Sequence, residues 1–102
     1  MDMPGWTVEI AERGRSGTIA YREGDGALVL AWEFGGTDEV VAILAFAADR
    51  WDARYPWAAG RRAEILSRVG AEVVRQKAPT CVVDLGEADR GWIYIRPRPA
   101  TR

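Results

Sequence analysis

The chain contains no histidine and only one cysteine, Cys81, among its 102 residues. Without histidine, the chain alone cannot build a Ser-His-Asp or Cys-His nucleophilic site, and it lacks the commonest ligand of transition metals. A single cysteine excludes an intrachain disulfide, and zinc sites made of Cys and His are excluded too. Because Cys81 lies in an apolar, strand-like stretch, we interpret it as a buried thiol and expect no metal and no cofactor.

Long apolar runs are also missing. The longest, residues 40–48, is half the length of about 18 residues that suggests a membrane-spanning helix. The N-terminus has no basic region followed by an apolar segment, so we expect no signal peptide. These features predict a cytoplasmic protein that does not contact a membrane. Lysine is nearly absent, since thirteen of the fourteen basic residues are arginine, and this bias suggests a bacterial, GC-rich genome.

The net charge of −1 conceals an uneven distribution of charge. Residues 1–49 carry nine acids and three bases, whereas residues 50–77 carry seven bases and three acids. The two parts can attract each other within one domain, or the basic segment can bind an acidic partner. The pI of about 5.4 disfavours nucleic acid as a partner, because nonspecific affinity for nucleic acid depends on basic charge.

Length and composition are those of one ordinary globular domain, with 48% hydrophobic and 28% charged residues. We therefore expect a single domain over residues 1–102. The proline-rich end, about 97–102, is expected to be a flexible C-terminal tail.

Alternation of apolar and polar residues predicts four strands in the first half of the chain. Short turns rich in Gly and Asp separate them, including one at 35–38, so an antiparallel meander is expected. The third strand is apolar on both faces and is therefore expected to be central and buried on both sides. The four predicted strands cover residues 6–13, 18–23, 27–34 and 40–46.

Helical periodicity follows, and it predicts one continuous amphipathic helix over 57–77, which ends before Pro79. A further helical turn before it, capped by Asp49, is also expected. Gly70 inside the helix suggests a close approach of the helix to the sheet. On the polar side, the i,i+4 spacing predicts the ion pairs Glu64–Arg68 and Arg68–Glu72. The apolar stripe of this helix contains Ile65, Leu66, Val69 and Val73.

Two more strands, 80–85 and 92–96, complete the order ββββαββ. This order predicts an α+β protein in which an antiparallel sheet packs on one long amphipathic helix as a two-layer sandwich. The sequence leaves the position of the last two strands in the sheet open.

Segment 50–62 combines three aromatic residues with four arginines. Arg61 and Arg62 lie near the start of the helix, where cations are unfavourable unless an acid such as Asp49, Asp52 or one of the sheet offsets them. The segment can anchor the connector on the core, or it can form a protein interface or an anion site. The candidate binding residues are Trp51, Arg54, Tyr55, Trp57, Arg61 and Arg62.

The missing chemistry favours a small non-catalytic binding or regulatory domain. Its partner would be an unidentified protein or a second copy of the chain. In the second case the protein would be a homodimer. One alternative is a small enzyme that uses Glu33 or Asp52 with Tyr55 and an arginine. The other alternative is a weak binder of nucleic acid or anions through the basic helix. Glu33, between two aromatic residues, is expected to pair with a helix arginine or to reach solvent.

Overall fold

The first three strands form an antiparallel meander, as the alternating pattern predicts. The computed structural model describes residues 5–35 and 39–99. Two-residue turns join the strands, and the glycine of each turn, Gly14 or Gly24, has a positive φ. The three strands are β1 (Trp6–Arg13), β2 (Ser16–Glu23) and β3 (Gly26–Phe34).

The sheet continues from β3 into three shorter strands, so that it has six strands in the order β1-β2-β3-β4-β6-β5. Every neighbouring pair is antiparallel. The last strand of the chain therefore lies inside the sheet, between β4 and β5, and it joins the final two strands to the meander. The shorter strands are β4 (Val41–Leu44), β5 (Cys81–Asp84) and β6 (Trp92–Pro97).

Two α-helices separate β4 from β5: α1 (Ala48–Arg54) and α2 (Arg62–Lys77), with a 3-10 turn at Pro56–Ala58 between them. The prediction of one continuous helix over 57–77 is wrong at its N-terminal end. Gly60 adopts a φ of +76°, a left-handed conformation that interrupts the helical path before α2.

The N-terminus of α1 also differs from the prediction. The residue that precedes the helix is Ala47, and no side chain caps it. Asp49 lies instead in the first turn, where its negative charge is favourable near the positive end of the helix dipole.

The core lies between α2 and one face of the sheet, which we call the inner face. The predicted apolar stripe of α2 is buried, with each of its four residues at most 3% exposed. Cys81 is buried as predicted. The largest side chains of the sheet that are fully buried are Ile19, Tyr21, Leu30, Ile43, Ile93 and Ile95.

Gly70 explains how closely α2 approaches the sheet. A Cβ atom at this position would lie 2.7 Å from Cγ1 of Val83 in β5. The expected close approach is therefore confirmed, and its partner is the edge strand β5.

Several details at the ends of elements differ from the sequence predictions. Pro97 belongs to β6 and pairs with Cys81, rather than beginning a tail, and residues 100–102 of that tail lie outside the described ranges. Residues 36–38 of the predicted turn at 35–38 are also outside them. Among the residues that the structure describes, no helix is long and apolar enough to cross a membrane.

The third strand is central, as predicted, but it is buried on one face only. Its inward residues Leu28, Leu30 and Trp32 are at most 5% exposed, whereas Val29 is 55% exposed. The expectation of burial on both faces is wrong, because neither the helices nor any other described element covers the second face of β3.

Candidate functional site

Trp51 and Tyr55, two of the candidate binding residues, are packed into the core. Trp51 is 0% exposed, and its Nε1 donates a hydrogen bond of 2.9 Å to the carbonyl oxygen of Ala58. The Tyr55 ring lies edge-on to the indole at a centroid distance of 4.8 Å and is 9% exposed. These contacts fix α1 and the following 3-10 turn onto the core.

Two of the candidate arginines converge on Phe46, at the joint between β4 and α1. The guanidinium carbon of Arg54 lies 4.0 Å from the centroid of the Phe46 ring. Arg62 donates hydrogen bonds from Nη2 to the carbonyl oxygen of Phe46, at 2.8 Å, and to that of Ala88. Phe46 has a φ of +58°, which is unfavourable for a residue with a bulky side chain. The two arginines thus hold a strained joint.

Trp57 and Arg61 lie in a different cluster, around Tyr21 of β2. The ring of Tyr21 is stacked between Trp57, at a centroid distance of 6.4 Å, and Trp6, at 6.0 Å. Gly26 makes this arrangement feasible, because a Cβ atom there would lie 2.3 Å from the Trp57 ring. The structure therefore divides the six candidate residues into two groups rather than one surface.

A carboxylate, a phenol and two guanidinium groups meet at the centre of the second cluster. Tyr21 donates a hydrogen bond of 2.6 Å to Oε1 of Glu23. Arg61 Nη2 donates to both carboxylate oxygens of Glu23, at 2.8 and 3.0 Å. Arg68 Nη1 donates to the Tyr21 hydroxyl at 2.7 Å and to Glu23 at 3.2 Å. Glu64 pairs with both arginines, which confirms the predicted Glu64–Arg68 pair.

The ionisation of this cluster suits a structural contact better than proton transfer. Burial, followed by the hydrogen bond to Glu23, raises the pKa of Tyr21 above 10.0. The hydrogen bond from Tyr21, followed by those from Arg61, lowers the pKa of Glu23 below 4.5. Both values move away from neutrality, so the tyrosine stays protonated and the glutamate stays charged near pH 7.

Sequence reasoning missed the role of Tyr21 and Glu23, although it anticipated the kind of contact. It expected an acid of the sheet to neutralise Arg61, and Glu23 does so. Two signals identify this cluster: Tyr21 and Glu23 are two residues apart on one strand, and Arg61, at the N-cap of α2, precedes Arg68 by seven residues, or about two helical turns. The second expected pair, Arg68–Glu72, is not among the ion pairs of the described residues, because Arg68 turns towards the sheet.

Glu33 and Asp52, the acids proposed for an enzyme site, lie in different parts of the fold. Glu33 is exposed on β3, opposite Ser16 and Ala42 in the sheet register. The Asp52 carboxylate accepts a hydrogen bond of 3.0 Å from the backbone N–H of Gly60. Neither contact involves Tyr55, which is buried against Trp51.

The sheet face opposite α2, which we call the outer face, presents small apolar side chains to solvent. On β1 to β3 the outward residues are exposed or half-buried, and Val29 at 55% is the most exposed large hydrophobic residue of the described ranges. A groove of about 230 Å³ crosses this face between β2 and β6. Ala42 also lies on this side of the sheet but is only 6% exposed. The apolar residues of the outer face that keep solvent access are Ala11, Ala20, Ala27, Val29, Ala31, Leu44, Val82 and Trp92.

Four charged side chains of the outer face, Glu9, Arg13, Arg22 and Glu33, make no ion pair within the described part of the chain. All four are exposed. By contrast, the basic residues of α2 are paired with acids of the sheet, of the helix itself or, for Arg62, with Asp89. The outer face therefore combines exposed apolar surface with equal numbers of unpaired acids and bases.

Among residues 5–35 and 39–99, no group of three or more His, Cys, Asp or Glu side chains is placed to hold a metal ion. Comparison of the chain with protein-family models, with curated proteins and with solved structures found no match.

Proposed function

We propose that this protein is a non-catalytic protein-interaction domain that acts as a homodimer, whose subunits pack the outer faces of their sheets together. The observation that carries this proposal is the exposed apolar surface around Val29, at the centre of a six-stranded sheet. Each subunit would be a two-layer sandwich of helices and sheet. A second copy would remove the outer face from water, as α2 does for the inner face.

The shape of the outer face supports a sheet as the occupant. Its outward residues on β1 to β3 include four alanines, so another sheet could pack at the usual spacing of about 10 Å. Six strands about 4.8 Å apart, with a mean length of about 20 Å, give a face of about 600 Å². Two such faces would bury about 1,200 Å², which is at the lower limit of stable protein interfaces.

The edges of the sheet are less suitable for pairing with a second copy. Along β1, the side chain of Gln76 donates a hydrogen bond of 3.1 Å to the carbonyl oxygen of Val8, and Lys77 forms an ion pair of 3.0 Å with Glu12. The other edge, β5, has only four residues. Side chains that cover an edge and short edge strands both oppose edge-to-edge pairing, so the face is the better candidate.

The charge balance of the outer face supports a second copy rather than a strongly charged partner. Its unpaired residues are two acids, Glu9 and Glu33, and two bases, Arg13 and Arg22. A face with charges of one sign would repel its own copy and favour a partner of the opposite sign. A balanced face can instead be complementary to itself.

The alternatives from the sequence receive less support. For an enzyme, either Glu33 or Asp52 would have to share a site with Tyr55, whereas Glu33 is exposed on β3, Asp52 accepts a hydrogen bond from Gly60, and Tyr55 packs on Trp51. For a nucleic-acid or anion binder, the basic helix would need free arginines, whereas Arg61 and Arg68 bind Glu23 and Glu64. Four of the six candidate binding residues keep solvent access, and a second binding surface formed by them stays a prediction. These four residues are Arg54, Trp57, Arg61 and Arg62.

We also propose a bacterial source and a cytoplasmic location, on the basis of the sequence. The single thiol, Cys81, is free and buried, and a free thiol suits a reducing compartment. The preference for arginine over lysine supports the proposed source.

Sedimentation velocity at several protein concentrations tests the homodimer directly. We expect a monomer–dimer equilibrium with a dissociation constant on the order of micromolar, given the modest area. The variant Val29→Glu should shift the protein to monomer, because it places a negative charge at the centre of the proposed interface. The variant Leu85→Glu is the matched control, since Leu85 is 43% exposed but lies in the loop after β5.

The control variant should dimerise like the unmodified protein. A protein that stays monomeric up to millimolar concentration would contradict the proposal. A dimer that is unaffected by Val29→Glu would contradict it equally, because the contact would then lie elsewhere.

A further inference from the structure

We infer that the two subunits are related by a two-fold axis along the row from Ala11 to Trp92 on the outer face, so that Arg13 of each subunit faces Glu9 of the other. This inference rests on the proposed homodimer and specifies how the second copy lies on the face. It makes Glu9 and Arg13 the residues that set the register of the two sheets.

The register of the sheet defines this row. Ala11 pairs with Thr18, Thr18 with Ala31, Ala31 with Leu44, and Leu44 with Trp92. The row therefore crosses five strands at right angles and carries no charge. A two-fold axis that lies along it, midway between the two faces, places every strand over its own copy in the opposite direction.

Glu9 and Arg13 lie at equal distances from this axis. Each is two residues from Ala11 along β1, so both side chains are on the same face as Ala11 but on opposite sides of the row. The two-fold rotation exchanges the two sides. Arg13 of one subunit then faces Glu9 of the other, and the symmetry produces this contact twice.

The same rotation provides a partner for the other two unpaired charges. Glu33 lies beyond the row on β3, in register with Ser16. The rotation moves it over Val29 of the second copy, which is adjacent to the strand that carries Arg22. Arg22 is one strand away from this Val29 and two residues further along the sheet, a distance that a long arginine side chain can span. All four unpaired charges of the face thus acquire a neighbour of opposite sign.

A two-fold axis parallel to the strands is the competing arrangement, and it leaves the charges of the outer face less well paired. It would place β1 over β5 of the second copy and bring Arg13 to Asp84. Asp84 already binds Arg96 at 2.7 Å and the backbone N–H of Gly86 at 2.8 Å. Glu9 would lie beyond the shorter strand β5 and would have no partner.

Charge reversal with mixing tests the inferred register. We expect Glu9→Arg and Arg13→Glu each to weaken the homodimer about tenfold, because two attractive pairs become repulsive. An equimolar mixture of the two variants should form a heterodimer at least as tight as the unmodified dimer, since every facing pair is again of opposite sign. Within one subunit, four residues of strand span about 13 Å, so the recovery cannot come from a contact inside one chain.

The readout is sedimentation equilibrium of each variant alone and of the mixture. Asp25→Arg and Arg50→Glu are control reversals, because both residues are exposed, unpaired in the described structure, and off the outer face. They should leave the dissociation constant unchanged. Circular dichroism and urea unfolding establish that every variant folds.

The outcomes separate this inference from the proposed function. If the unmodified protein is monomeric, both are overturned. If it dimerises and Val29→Glu abolishes the dimer, but mixing the variants Glu9→Arg and Arg13→Glu does not restore association, the inferred register is wrong and the proposed function stands. Loss of dimer in Arg13→Glu with no change in Glu9→Arg would indicate the axis parallel to the strands and would also overturn the inference.

Discussion

The Tyr21 hydroxyl lies 2.6 Å from Oε1 of Glu23, the residue two positions further along the same strand. Arg68 of α2 donates hydrogen bonds to both groups, and Arg61 adds two more to the carboxylate. These hydrogen bonds and ion pairs link the sheet to the N-terminal half of α2. They lie beside the apolar core, in which the sheet and α2 also pack together. They are therefore expected to contribute to stability rather than to catalysis.

Replacing Tyr21 by Phe should lower the free energy of unfolding by about 2 kcal/mol. The substitution keeps the ring between the two tryptophans but removes the hydroxyl, which donates to one charged group and accepts from another. Urea unfolding measures the change. Tyr94→Phe is the control, because the Tyr94 ring stacks on Trp92 at the outer face and is only half-buried. Equal loss in both variants would contradict the role of the Tyr21 hydroxyl.

The stability of the protein should depend on pH through Glu23. Hydrogen bonds from Tyr21 and Arg61 lower its pKa in the folded state below the ordinary value of 4.5. A lowered folded pKa stabilises the protein above the unfolded pKa, and this stabilisation is lost as pH falls through the folded value. Glu23→Gln should therefore be less stable than the unmodified protein at neutral pH, and the difference should shrink below about pH 4.5.

Urea unfolding from about pH 3 to about pH 7 measures this dependence. The pKa values of Glu64, Glu72 and Asp84 are also lowered, mainly by hydrogen bonds from Arg61, from Arg75 and from the backbone of Gly86, so some pH dependence remains in the variant. Asp25→Asn, which removes an exposed acid that is unpaired in the described structure and lies off the outer face, should follow the unmodified protein. A constant difference between Glu23→Gln and the unmodified protein across the range would exclude the predicted coupling.

The strands could be predicted from the sequence because each carries its own signal. In β1 and β2, alternation alone places Val8 and Ile19 in the core, and Gly14 and Gly24 mark the turns. The position of β6 could not be predicted, because the helical connection allows the last two strands to join either free edge. That choice depends on long-range packing, such as the pairing of Ile43 with Ile93, and no local pattern encodes it.

The candidate site was harder to predict, because composition does not show where a side chain points. Trp51 and Tyr55 belong to an arginine-rich, aromatic segment of the kind found at interfaces, yet both are buried. The interpretation as a core anchor, also drawn from the sequence, describes these two residues. Conversely, Val29 looked like a core residue of a strand buried on both faces, and its exposure depends on which side of the sheet the helices cover.

Gly70→Ala should destabilise the protein by about 1 kcal/mol or more, although alanine has the higher helix propensity. The added methyl group would lie 2.7 Å from Cγ1 of Val83. In a Val83→Ala background the same substitution should instead be stabilising, because the remaining Cβ of residue 83 lies at an ordinary 3.5 Å. A double-mutant cycle by urea unfolding measures this change of sign, and stabilisation in both backgrounds would show that Val83 does not limit the approach of α2.

Trp51→Phe distinguishes an anchor of the core from a residue of a binding surface. The substitution leaves a void at a position that is 0% exposed and removes the hydrogen bond to the carbonyl oxygen of Ala58. We expect the free energy of unfolding to fall by about 2 kcal/mol, measured at a protein concentration below that of dimer formation. Trp92→Phe, at the half-buried end of the outer face, should cost less stability and should weaken the dimer instead. If Trp51→Phe weakened association while leaving the free energy of unfolding unchanged, Trp51 would belong to a binding surface rather than to the core.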